Sequence, residues 1–249
     1  MMACRRVFAV NTVVMYLCLC IHQAFAQSSP HLMGDVGVAM YKTPALTRAT
    51  SQISTALPYI YADYGPIYAR VDTFGYRLAP MGLGHIEVAT RLSFEGYQSD
   101  LLGFERRHRP NPIGLGTFQE TPYGAFIFYA FHDTASAGSL LDSSYAAEVV
   151  VGDLHVYPQI GLERRDRKYV DALYGVSVAE ALKSGLPTYI AGTSYSPNAA
   201  VTFEYVLVDS LKLTLQFRKR WLDKSIYESP LVNVKQQTSG FIALSHTFQ

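Results

Sequence analysis

Between positions 211 and 221 the sequence Leu-Lys-Leu-Thr-Leu-Gln-Phe-Arg-Lys-Arg-Trp alternates apolar and polar side chains almost without a break. Successive residues of an extended strand point to opposite sides. Leu211, Leu213, Leu215, Phe217 and Trp221 therefore share one face, and Lys212, Thr214, Gln216, Arg218 and Arg220 the other. A face with that many cations is too polar for a dry core. An extended segment of about 9 to 11 residues, apolar toward lipid and polar toward a wet interior, is the pattern of a transmembrane β-strand.

The N-terminus sets the compartment. Arg5 and Arg6 precede the mostly apolar run 7–21 and the small-residue site Ala24-Phe25-Ala26, which reads as a secretory signal over 1–26, cut before Gln27. The run contains Asn11 and Thr12 and is shorter than the roughly 20 apolar residues of a membrane-spanning helix. Leu17 and Leu19 precede Cys18 and Cys20, so the small residue that a lipoprotein signal needs before its cysteine is missing. Cys4, Cys18 and Cys20 are the three cysteines, all in the leader, so the exported part rests on hydrogen-bonded ladders and packing, not on disulfides. Without Arg5 and Arg6, the 21 basic residues nearly balance the 20 acidic ones. That balance leaves no global field for nucleic acid or another polyanion.

Hydrophobic residues make up 49% of the chain, yet no segment after the leader approaches a helical span. In lipid only a closed barrel then satisfies the backbone. The 18 tyrosines, against one tryptophan, gather near strand ends, as interfacial girdles require. An aromatic-rich soluble sandwich is the alternative, and the alternation along the chain favours the barrel. Strands are expected over 34–41, 57–63, 67–76, 86–95, 113–120, 125–132, 145–151, 154–163, 188–207, 211–221 and 240–248. In 86–95, Ile86, Val88, Thr90, Leu92 and Phe94 oppose Glu87, Ala89, Arg91, Ser93 and Glu95. Bacterial barrels have even strand numbers, so these eleven segments imply an antiparallel up-and-down barrel of 12 strands, with 10 as the alternative. Either the loop after Glu95 hides a strand or 67–76 is not a single crossing.

The stretch Tyr174-Gly175-Val176, then Ala179 and Ala181, then Ser184-Gly185-Leu186-Pro187-x-Tyr189-x-Ala191-Gly192 resembles the MipA/OmpV family of outer-membrane proteins. The resemblance continues through Ser229-Pro230-Leu231-Val232 and a final strand ending on Phe248. Leu173 stands where the family usually has a second tyrosine, and Gln249 follows the terminal aromatic. The resemblance implies a single barrel domain over 27–249 in the outer membrane of a Gram-negative cell. It also implies a scaffold that joins a murein transglycosylase to a murein synthase, with adhesins and stress-responsive surface proteins among other members.

Catalytic and metal chemistry find no support in the residues. A surface lipid hydrolase needs Ser, His and an acid or amide together, but Ser245 and His246 are adjacent in a strand and face opposite ways. His132 beside Asp133 and His155 near Asp153 read as lumen or rim residues. The histidines after the leader (His31, His85, His108, His132, His155, His246) show no ligand spacing, and Tyr174-Gly175-Val176 lacks the lysine of a phosphate loop. No enzyme activity, cofactor, metal or nucleic-acid partner is expected.

Basic clusters remain, at Arg106-Arg107-His108-Arg109, at Arg164, Arg165, Arg167 and Lys168, and at Arg218, Lys219 and Arg220. Counting crossings back from a periplasmic C-terminus puts them at the outer end, where lipopolysaccharide phosphates suit guanidinium forks. Solvated rim charges are the alternative. Functionally, the scaffold competes with a narrow small-solute channel or a surface adhesin. Glu87, Arg91, Glu95, Arg218 and Arg220 on inward rows could pair across a narrow lumen and plug it.

Overall fold

The structure, a computed structural model, describes residues 30–44, 46–47, 53–93, 95 and 104–248; the expected signal peptide lies outside them. The strands are β1 (Leu32–Thr43), β2 (Ile53–Tyr64), β3 (Ile67–Arg70), β4 (Thr73–Met81), β5 (Gly84–Arg91), β6 (Pro112–Thr121), β7 (Gly124–Asp133), β8 (Ser139–Ala147), β9 (Val149–Val151), β10 (Leu154–Arg165), β11 (Ser194–Val208), β12 (Leu211–Trp221) and β13 (Gln236–Phe248). β8 and β9 pair in turn with the upper and lower parts of β10, so they form one wall strand interrupted at Glu148. That gives a closed antiparallel barrel of twelve wall strands, shut where β13 pairs with β1 from Gly34↔Phe248 to Lys42↔Gly240.

The twelfth strand comes from the segment 67–76, which folds into β3 and β4 around Val71 and Asp72. Val71 takes φ of 61°, a region in which a β-branched residue is a genuine outlier. With no Gly or Asn to mark it, that turn is invisible to sequence patterns. Other boundaries also moved: the strand expected over 86–95 ends at Arg91, and those expected from 57 and 240 begin at Ile53 and Gln236. β8 starts at Ser139, inside the Ser/Ala-rich stretch expected as a loop, because Leu140, Asp142 and Ser144 pair in register with Arg165, Glu163 and Gly161. The expected crossing from 188 begins only at Ser194 and runs through Pro197, opposite Leu162, without a break.

The faces follow the alternation. On β12 Phe217 is 50% exposed while Thr214 and Arg220 are buried. Cross-strand neighbours share a side, so Leu213↔Leu244 and Leu215↔Ile242 continue the lipid-facing surface. Val38, Met40, Leu115 and Ile160 extend it around the wall. The N-terminus of β1 and the C-terminus of β13 lie at one end, where every connection between wall strands is a two-residue turn. The long connections 92–111, 166–193 and 222–235 leave and rejoin the wall at the opposite end. In bacterial barrels short turns are periplasmic and long loops external, so the long connections face outward.

The last two of these fold into a lid built from α1 (Arg167–Tyr174), α2 (Val178–Ser184) and α3 (Lys224–Tyr227). Asp166 accepts from the Tyr169 N–H to cap α1, Ser177 and Glu180 form a reciprocal capping box on α2, and Asp223 caps α3. Such caps satisfy amides that a short helix leaves orphaned. Gly185 ends α2 at φ 73°, a left-handed conformation that glycine adopts without steric cost. Beneath the helices Tyr169, Val170, Leu173, Tyr174, Ala191, Leu222, Ile226 and Val232 pack with the lumenal Tyr129, Phe131 and Leu140 into one apolar core.

Candidate functional site

The features that decide what the barrel can do lie along its lumen. At mid-height, Gly75 and Gly116 let neighbouring aromatic rings lie flat on the wall. A Cβ at Gly116 would stand 2.2 Å from the Tyr129 ring, and one at Gly75 2.4 Å from the Tyr68 hydroxyl. The two hydroxyls meet at 3.3 Å, Tyr129 donates to Glu87 at 2.5 Å, and His85 Nε2 lies 2.7 Å from the other Glu87 oxygen. Glu87 is 2% exposed, so its partners replace the water it loses. Nearer the periplasmic mouth, Asp63 is held by Arg70 and Arg77, and Lys212 spans Asp35 and Glu204.

Above this the lumen is clamped. After Arg91 the chain turns inward and carries Glu95 across the bore, where Arg165 of β10 holds it at 2.7 and 3.0 Å and Arg220 of β12 at 2.8 Å. Glu163 takes Arg165 at 2.7 Å and Arg220 at 3.5 Å, and Arg91 pairs with Asp142 at 2.5 Å. Burial alone would push the Glu95 carboxyl up; the Arg165 and Arg220 guanidiniums outweigh it and hold it below the usual carboxylate range. Charges sharing partners in this way are far less screened than a surface pair.

The lid closes the mouth over this clamp. Ser229 donates to the Tyr174 carbonyl at 2.6 Å, Val176 and Tyr189 form a two-way bridge, and the Ala191 N–H donates to Asp171 at 2.8 Å. Arg107 reaches across to the Gly175 carbonyl at 2.8 Å and to Glu180 at 3.0 Å. For Glu180 the upward push of burial is overcome by hydrogen bonds from Ser177 and Arg107, which leave it below its ordinary value. The motif residues Tyr174, Gly175, Val176, Gly185, Leu186, Pro187, Tyr189, Ser229 and Pro230 thus all lie in the lid segments, where Ser229 bonds to Tyr174 and Val176 to Tyr189. Leu186 and Tyr189 pack on the Phe104, Val176 and Leu231 cluster.

The basic residues expected at the outer rim divide. Arg165 and Arg220 are buried inside the lumen at 4% and 6% exposure and are spoken for by Glu95 and Glu163. They do not face the lipopolysaccharide layer, because their odd and even positions in β10 and β12 point inward. Arg218 also lies on the inward row, between Ala200 and Ser239. Arg164, Arg167, Lys168 and Lys219 remain on the outside; Arg164 stands over the Tyr195 ring and Lys219 over Trp221. The inward position of Glu87, Arg91 and Glu95 was legible from alternation; the meeting of Glu95 with β10 and β12 was not, since it needs the chain to leave the wall after Arg91. Among the described residues no group of histidine, cysteine and carboxylate side chains is placed to hold a metal.

Over residues 36–248 the chain matches the family model described as MltA-interacting protein MipA. Two Escherichia coli chains, from strain K12 and from O157:H7, carry the name of an outer membrane protein, YiaT. Each is 22% identical over 220 residues, which span 85% of this chain and 89% of theirs. The crystal structure of the outer membrane channel DcaP of Acinetobacter baumannii overlays on 88% of this chain and 96% of its own with a TM-score of 0.35 and 7% identity, too loose to carry an argument.

Proposed function

The chain belongs to the MipA family of outer-membrane β-barrels, and on that premise we propose that it is a non-enzymatic scaffold of the cell envelope. In this reading the periplasmic mouth docks a murein transglycosylase and brings it beside a murein synthase. The observation that carries the reading is a rigid apolar knob at that mouth. The β4–β5 and β6–β7 turns present Leu83 and Tyr123 at 70% and 81% exposure. Gln119 ties the first turn to β6 by accepting from the Leu83 N–H at 2.9 Å and donating to the Met81 carbonyl at 2.8 Å. Large exposed aromatic and aliphatic tips on a fixed frame are the usual anchors of protein interfaces.

The clamp and lid favour this role over solute passage, because ion pairs and an apolar core occupy the bore. The test is affinity capture from solubilised envelopes with the wild-type chain and with Leu83→Glu/Tyr123→Glu, each shown to be folded by its heat-dependent gel migration. The scaffold reading expects murein hydrolase and synthase with the wild type and their loss with the double variant. Recovery of neither enzyme with the wild type, together with steady ion conductance in planar bilayers, would replace it with the narrow channel.

A further inference from the structure

Below the clamp the lumen is filled unevenly. On the β3–β7 side Tyr68, Glu87, Ala89, Tyr129 and Phe131 are all buried. On the β8–β12 side the inward positions carry smaller or more slender groups, and Ser144, Gln159, Thr202, Gln216 and Arg218 are half-buried. A side chain on an inward row is exposed only toward the lumen, so water stands on this side. Gly161 adds width there, since a Cβ at that position would stand 3.1 Å from both terminal atoms of the Asn198 side chain. Lower on the same side Glu148 is 50% exposed, which leaves the space open to the periplasm, whereas Arg220 and Glu163 shut it above. The result is a blind pocket.

Arg218 stands at the upper end of this pocket, one inward position below Arg220 on β12. Arg70, Arg77, Arg91, Arg165 and Arg220, also on inward rows, each hold a carboxylate. Arg218 holds none among the described residues, and its Nε is buried without a hydrogen-bond partner. Arg77 and Arg220 leave Nε unbonded too, but their outer nitrogens are paired. A partly buried guanidinium with no counter-charge is unfavourable, and a carboxylate or phosphate that takes two of its N–H groups reverses that. The neighbours are neutral groups that donate and accept: Gln216 donates to Thr202 at 3.0 Å, Ser239 lies opposite Arg218, and Asn198 pairs one step above. Amides and hydroxyls match the hydroxyls of a sugar, and a few polar groups converging around one charge fix the orientation of a small solute.

We propose that this blind pocket binds an anionic saccharide from the periplasm, with its carboxylate or phosphate on Arg218 and its hydroxyls among Gln159, Asn198, Gln216 and Thr202. Because the clamp closes the pocket above, the solute is held and not passed. The test is thermal unfolding of the whole folded protein in detergent micelles with glucuronate, glucose 6-phosphate or neutral glucose, at constant ionic strength. A ligand that binds only the folded chain raises the midpoint in a saturable way. The expected result is such a rise with glucuronate or glucose 6-phosphate but not glucose, abolished by Arg218→Gln and retained by Arg164→Gln; the arm that gives it distinguishes sugar acid from sugar phosphate. No rise with either anion, or a rise that survives Arg218→Gln, overturns the proposal. Without any sugar Arg218→Gln is expected to keep the wild-type midpoint, and a fall as large as that of Arg165→Ala would give Arg218 a partner within the chain and overturn the proposal. If Arg218→Gln does not assemble, phenylglyoxal labelling of the wild type takes its place. Modification of Arg218 that the anionic sugar blocks, while that of Arg164 continues, supports the site; modification unchanged by the sugar, or none at Arg218, overturns it.

Discussion

Glu95 and Arg165 meet through two hydrogen bonds, at 2.7 and 3.0 Å, although one is carried by the segment after β5 and the other ends β10 on the far side of the bore. This contact, shared with Glu163 and Arg220, ties the inward-turning segment to the opposite wall. Removing one member of a buried pair leaves the other charge uncompensated, which costs roughly 3 to 5 kcal/mol. Arg165→Ala is expected to destabilise the folded barrel by that order in urea unfolding from vesicles, and Arg164→Ala by well under 1 kcal/mol. Equal effects would show that the clamp contributes nothing specific.

The lipid face makes a second prediction. Leu215 lies mid-strand on β12 opposite Ile242, so Leu215→Arg places a charge near the bilayer midplane at a cost of roughly 2 to 4 kcal/mol. Gln216→Arg points into the lumen beside Thr202 and is expected to cost much less. Thr214 is no substitute for Gln216, because at 1% exposure it has no room for a longer side chain. The same unfolding measurement checks both, and a larger loss at Gln216 would reverse the assignment of faces.

The lid is expected to loosen in acid while the wall persists. Asp166, Glu180 and Asp223 are each pushed up by burial, and each is held below its ordinary value by the hydrogen bonds it accepts, first from its own helix start and also from Ser139, Arg107 and Tyr195 respectively. A carboxyl depressed in the folded state stabilises fully above its unfolded value, and the contribution is lost as pH falls through the folded value. With ordinary values of 3.8 for Asp and 4.5 for Glu, the loss sets in below about pH 4. Hydrogen exchange at pH 3 and pH 7, corrected for intrinsic rates, should show protection falling in 166–193 and 222–228 but not in β12. Uniform loss would mean that the lid and wall unfold together.

Most of the wall could be read from period-two alternation, because lipid outside and water inside force each strand to display both chemistries. Leu211, Lys212 and their successors announce a face apiece, as do Ile86 and Glu87. The β3–β4 turn could not be read: its left-handed residue is Val71, held by the Ile60 hydrogen bond and by packing on the cluster of Ala39, Tyr59, Phe241 and Ala243, both tertiary. The lid was equally opaque. Its motif residues marked a family, but the contact of Ser229 with Tyr174 joins positions 55 apart in sequence, and no local pattern encodes it. Basic runs were misleading for a simple reason: neighbours such as Arg164 and Arg165 look alike in sequence and face opposite environments.

That division sharpens the expectation for lipopolysaccharide. Arg164, Arg167 and Lys168 remain outside the lumen, near the outer end, and single exposed ion pairs contribute only about 0 to 1 kcal/mol. Several charge-assisted bonds converging on fixed phosphates contribute more. Neutralising these three to Gln should lower thermal stability in lipopolysaccharide-containing bilayers and not in neutral phospholipid, with the difference reduced by high salt. Equal losses in both lipids would assign the residues to contacts within the chain.

The Thr247 hydroxyl donates to Asp35 at 2.6 Å across a separation of 212 residues, and the ladder around it is the seam between β13 and β1. Every other wall pairing joins strands near in sequence, so hairpins can assemble in order and at modest entropic cost. The seam alone demands the whole chain. Until it forms, β1 and β13 each carry a long row of unpaired donors and acceptors that would stick to any other strand edge, and loop-closure entropy makes this the last and slowest contact. Closure of the wall is therefore gated by β13, so a chain must be kept unfolded and shielded in transit until that strand arrives.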